Sequence, residues 1–160
     1  MEQSIKETII REITEKLTID DHITLNIAKE LIETVETESK LRGIPMVIAV
    51  CNPHGNIIAV HVMDDALLVS FDVAMKKAYT AVAMKARTID LCYMAQPGGS
   101  LFGINRLDGG RIVVIGGGVP LMSGGKVVGG LGISGGTPEQ DHEIAEFGAK
   151  IFQGKISRVK

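Results

Sequence analysis

Residues 112–152 constrain the fold more than any other part of the chain. They read IVVIGGGVPLMSGGKVVGGLGISGGTPEQDHEIAEFGAKIF, short apolar runs separated by glycine clusters and followed by a helix start. Glycine belongs where backbone turns sharply, or where another element approaches with no side chain between. Strands are expected over 111–115, 119–122 and 127–134, with Ser123-Gly124-Gly125 as a tight turn between the last two. Thr137 then caps a helix, with Pro138 at its first position and Gln140 three residues on, a capping box. Ile144, Phe147, Gly148, Ile151 and Phe152 give that helix its buried face. Such a unit must lie on a sheet, and the earlier part of the chain supplies one.

Ile5, Ile9, Ile13 and Leu17 recur every four residues, with Ile10 beside them, so 2–17 reads as an amphipathic helix. Thr18-Ile19-Asp20-Asp21 breaks it and offers caps for a second helix over 22–41, striped by Ile27, Leu31 and Val35 and stopped at Gly43. The runs 46–51 and 57–63 flank an Asn52–Asn56 turn and form a hairpin. A helix over 66–86 is apolar nearly all round and therefore mostly buried, under a sheet or against another subunit. A short helical turn follows at 88–94. The stretch 96–111 is loop-like and long enough to be functional. Five strands joined by hairpins and one helical crossover describe an antiparallel α+β arrangement, a single domain over residues 1–160 with residues 1–17 as an extra helix.

Several function classes are disfavoured. The net charge of -2, with basic residues scattered and no Trp, gives nucleic acid little footing. The N-terminus carries no signal-peptide pattern and no apolar run approaches a membrane span, so a cytoplasmic protein is expected. Two cysteines, Cys51 and Cys92, suit neither a disulfide framework nor a metal knuckle, and Cys51 is expected to be a buried thiol. The strings Gly116-Gly117-Gly118 and Ser123-Gly124-Gly125-Lys126 run into strands, whereas phosphate cradles open helices. Both read as turns.

Three features remain as site candidates. Ser134-Gly135-Gly136-Thr137 does open a helix, but Glu139 and Asp141 occupy its first turn and offset the helix dipole. Those carboxylates serve either as structural caps or in ligand or metal binding. Lys76 and Lys77 interrupt an apolar helix, and either shares a face with Thr80. They line a site together with Tyr79, or they snorkel to water at the helix edge. No histidine has a second ligand at metal spacing, yet a haem needs only one axial donor. His22, at a helix start, is the best placed for that role. No nucleophile with its base is visible.

MDDALLVSFDVAMKKAYTA, QPGG, IGGGVPL and VVGGLGISGGTPEQD occur in that order. Over residues 22–153 the chain resembles the family of GlcG, the haem-binding protein HbpS and the C-terminal domain of PduO corrinoid adenosyltransferases. The resemblance implies a profilin-like three-layer α-β-α sandwich with a five-stranded antiparallel sheet, and a homo-oligomer. Some members are linked to haem, others to glycolate, glycerol or propanediol metabolism. Family motifs fall on Asp64, Lys77, Tyr79, Thr80, Gly116, Gly117, Gly118, Pro120, Gly135, Gly136, Glu139 and Asp141. The leading expectation is a non-catalytic binding protein for haem or a related tetrapyrrole near a subunit interface. Its expected ligand residues are Lys76, Lys77, Tyr79, Thr80, Gly117, Gly118, Glu139 and Asp141, with His22 at the iron. One rival is an enzyme or accessory for a small carboxylate or hydroxy-acid, which a buried carboxylate near Lys77 would favour. The other is a purely structural oligomeric module.

Overall fold

The structure, a computed structural model, describes the backbone of residues 2–19 and 22–159 and the side chains of residues 3–11 and 22–156. The expected roles of Ile13 and Leu17 in the first helix, and of Asp20 and Asp21 as caps, fall outside the described residues. Helix α1 spans Glu2–Ile19 and α2 spans Leu25–Leu41. α2 starts three residues later than expected, for a local reason. The Ile23 N–H donates to the Val128 carbonyl at 2.8 Å, and Thr24 Oγ1 accepts from the Ile27 N–H as the true N-cap.

Strands β1 (Val47–Cys51) and β2 (Ile57–Val62) form the expected hairpin. Helix α3 (Ser70–Ala83) and the shorter α4 (Thr88–Met94) follow. The loop beyond α4 contains two single 3-10 turns, at Ile104–Arg106 and Asp108–Gly110. Strands β3 (Gly118–Ser123) and β4 (Lys126–Ser134) and helix α5 (Pro138–Val159) complete the chain. Gly124 and Gly125 both have positive φ, 54° and 79°, as a two-residue hairpin turn requires.

The sheet has four strands, all antiparallel, in the order β2-β1-β4-β3. The expected fifth strand at 111–115 does not form. Its backbone is taken by a side chain: Thr80 Oγ1 donates to the Arg111 carbonyl and accepts from the Val113 N–H at 2.9 Å. Pro120, moreover, has no N–H to offer a further strand beside β3. The resemblance's five-stranded sheet is corrected to four.

Helices cover both faces. Ile48, Val50, Leu131 and Ile133 meet Leu31, Val35, Ile144 and Phe152 on one side, the α2–α5 layer. Val47, Ala49 and Cys51 meet Ala74, Ala78 and Val82 of α3 on the other. The α3 side is close packed because β4 presents glycine there. A Cβ at Gly132 would lie 2.0 Å from the Ala74 carbonyl oxygen, so α3 rests directly on strand backbone.

Candidate functional site

The apolar face of α3 carries Lys77 into the centre of the molecule, where its side chain is 1% exposed. The ammonium donates to Asp141 Oδ2 at 2.7 Å and to the Ile133 carbonyl at 2.8 Å. Asp141, also buried, accepts the Gly136 N–H at 2.8 Å through its second oxygen. The pair ties α3, β4 and the start of α5 together. Desolvation lowers the Lys77 pKa, and the attraction of Asp141 only partly opposes it. Desolvation likewise raises the Asp141 pKa against the pull of Lys77. Burial therefore works against the charges that the pairing restores.

Gly117 and Gly118 close over this pair. Gly117 has φ 120°, and a Cβ there would lie 2.5 Å from the Ile133 carbonyl oxygen and 2.9 Å from Lys77 Nζ. Gly118 fits between the Lys77 carbonyl and Thr88, whose Oγ1 accepts its N–H at 2.8 Å. Asp141 is the buried carboxylate beside Lys77 that a small-acid enzyme would call for. Its oxygens are committed to Lys77 and Gly136, however, and glycine backbone packs against the lysine. Lys77, Asp141, Gly117 and Gly118 thus form an internal pin, and Thr80 is a buried clasp on the 111–113 segment.

The other expected residues lie elsewhere. Glu139 is exposed on the first turn of α5, beside a capping box that forms as expected: Thr137 N–H to Gln140 Oε1 and Gln140 N–H to Thr137 Oγ1. Lys76 reaches the surface and pairs with Asp72 at 2.9 Å. Tyr79 donates to Asp108, lies against Gly55, and carries the Arg111 guanidinium 4.4 Å above its ring. The hydrogen bond to Asp108 raises the Tyr79 pKa, and the same bond, seconded by Arg111, holds Asp108 low. Asp108 and Arg111 were missing from the expected set because their loop has no periodicity to orient them. A left-handed Asp108 followed by two glycines is the one local signal they leave.

His22 is exposed and precedes Ile23, which belongs to the α2–α5 side of the sheet. Lys76 and Tyr79 ride on α3, across the sheet. One subunit therefore does not bring His22 together with them. An open groove of about 530 Å³ between α2 and α5, lined by Glu30, Glu33, Glu38, Leu41, Phe147 and others, contains none of the expected residues. Among the described residues no group of three or more His, Cys, Asp or Glu could hold a metal ion.

Residues 23–150 match the family described as haem degrading protein HbpS-like. The chain belongs to the HbpS-like family. Within it, the chain is similar to an uncharacterized 15.0 kDa protein from the dhaT-dhaS intergenic region of Citrobacter freundii. The two are 40% identical over 130 residues, covering 81% of this chain and 92% of that protein. It is also 46% identical over 112 residues to the corrinoid adenosyltransferase PduO of Salmonella typhimurium, covering 70% of this chain and 33% of PduO. This chain thus spans a third of that longer relative. Among solved structures it resembles the PduOC:heme complex, with 38% identity and a TM-score of 0.77 over 81% of this chain and 94% of the other.

Proposed function

We propose that this chain is a binding protein for haem or a related tetrapyrrole, working as a cytoplasmic homo-oligomer accessory to glycolate, glycerol, diol or corrinoid metabolism. The observation that carries this reading is the likeness, along nearly the whole of a solved neighbour, to a structure that holds haem. The corrinoid setting is supported by the likeness to a corrinoid adenosyltransferase.

The donor set fits a single-point attachment. His22 is exposed, and its backbone is steadied by the Ile23 N–H on the Val128 carbonyl. Leu25, 54% exposed one turn on, offers apolar surface beside it. An accessible neutral imidazole is what an axial ligand requires. Bound haem would supply iron redox chemistry that no side chain here supplies. Lys76 can meet a propionate by trading its exposed partner Asp72. Because it lies across the sheet from His22, joint use of the two needs two subunits, which favours a ligand near a subunit boundary.

The test is an absorbance titration of the purified oligomer with hemin, alongside His22→Ala and, as a control histidine, His54→Ala. A saturable Soret band that is lost or displaced only in His22→Ala supports the reading. A featureless titration, matching that of an unrelated protein, refutes it. No helix among the described residues is long and apolar enough to cross a membrane.

A further inference from the structure

Helix α2 has three distinct sides. Ala28, Leu31, Ile32 and Val35 are buried against the sheet. Glu30, Glu33 and Glu38 line the open groove toward α5. The third side is marked by Glu36, which meets His61 of β2 at 2.6 Å. At 3.6 residues per turn, Leu25 and Lys29 each fall within about 20° of Glu36 around the helix, so this β2-facing flank carries them too.

Lys29 is exposed and, among the described residues, has no carboxylate partner. The acids around it are engaged or turned away: Glu36 holds His61, Glu30 holds Lys155, and Glu33 lies at the α5 groove. His22 stands at the head of this flank, three residues before Leu25. Leu25 and Lys29 are about 6 Å apart along the helix axis, and the step from His22 to Leu25 adds at most ~10 Å. An exposed imidazole, an exposed leucine and an unpaired ammonium thus follow one another over a short span of one subunit. Lys76, by contrast, is paired with Asp72 and lies across the sheet. A carboxylate that came to Lys76 would displace that partner, whereas at Lys29 it displaces water alone.

We propose that Lys29 binds a propionate carboxylate of the ligand that His22 holds, so that the site takes a carboxylate-bearing porphyrin in preference to a corrinoid, whose peripheral chains are neutral amides. The imidazole ligates iron or cobalt alike and cannot make that choice. A charged donor makes it, because its hydrogen bond to a carboxylate is about twice as strong as one to a neutral group. The proposal rests on the haem reading given above, and adds to it the residue that selects among tetrapyrroles.

Absorbance titrations of the full chain test it with three probes: hemin, hemin dimethyl ester, which keeps the iron and ring but loses both carboxylates, and aquocobinamide, a corrinoid with amide chains. The proteins compared are the unmodified chain, Lys29→Gln, Lys29→Arg, Lys76→Gln and Lys40→Gln, the last being an exposed lysine about 16 Å further along α2. Lys29 is exposed, so its substitution leaves the fold intact, as circular dichroism checks. Lys29→Gln is expected to weaken hemin binding about 3–5-fold and to leave the ester unchanged. Lys29→Arg and Lys40→Gln should bind hemin like the unmodified chain, and the deficit of Lys29→Gln should shrink as salt is raised. Lys29→Gln matching the unmodified chain on hemin, or weakening the ester as much as hemin, overturns the proposal. So does a loss on hemin confined to Lys76→Gln, or aquocobinamide bound as tightly as hemin. His22→Ala keeps the two proposals apart: hemin binding that depends on His22 but not on Lys29 leaves the haem reading standing and sinks this one, whereas no hemin binding at all sinks both.

Discussion

Replacing Lys77 by Met leaves Asp141 buried with backbone N–H donors at Gly136 and Gly135 but no cation. The ammonium and carboxylate are 1% and 4% exposed, so water cannot take over the lost interaction. Removing one member of such a pair costs about 3–5 kcal/mol, a large fraction of the ~5–15 kcal/mol that holds a domain folded. The double variant Lys77→Met/Asp141→Leu strands no charge. It forfeits hydrogen bonds to Gly136 and Ile133, about 1–3 kcal/mol in all. The double variant is therefore expected to be more stable than Lys77→Met alone, which urea midpoints at constant m-value would read. The pH slopes of the two single variants oppose each other. In Lys77→Met, desolvation holds the Asp141 pKa above its ordinary 3.8 with no cation to offset it. The folded state then binds more protons, and stability returns as pH falls through that raised value. In Asp141→Leu, the Lys77 pKa lies below its ordinary 10.5, the unfolded state binds more protons, and stability returns as pH rises. A Lys77→Met loss below ~1 kcal/mol at neutral pH, or a double variant weaker than both singles, would refute the pin.

Two further outcomes test the packing. Gly132→Ala should destabilise by ~3 kcal/mol or more, because its Cβ would meet the Ala74 carbonyl at 2.0 Å and lift α3 from β4; a thermal melt unchanged from the parent would contradict that contact. Cys51 is fully buried, its Sγ–H facing the Ala78 carbonyl at 3.3 Å and its pKa pushed up to about 12 by desolvation. A thiol reagent at mildly alkaline pH should leave Cys51 unmodified in the native protein and label it in denaturant, as peptide mass mapping would record.

The order of elements was legible in the chain because its signals are local. The apolar runs around Asn52–Asn56, the Gly124-Gly125 turn and the Thr137/Gln140 box each act within a few residues, and each stands in the structure where it was expected. Local pattern misled at 111–115, where four apolar residues read as a strand. The Arg111 carbonyl and the Val113 N–H there go to the Thr80 side chain, some thirty positions back. Lys77 misled in the same way. A lysine in an apolar helix reads equally as a site residue or a snorkelling one, and its partner Asp141 is 64 residues distant. Nor could periodicity assign layers: it marks an apolar face without saying which side of the sheet that face meets, so His22 and Lys76 were grouped although the sheet lies between them. Sequence by itself determined where the backbone turns, caps and extends, since those choices rest on each residue's own φ/ψ preferences and near neighbours. Tertiary structure alone decided which buried charge meets which and how many strands the sheet holds. Those outcomes depend on desolvation and hydrogen-bond competition between segments far apart in the chain.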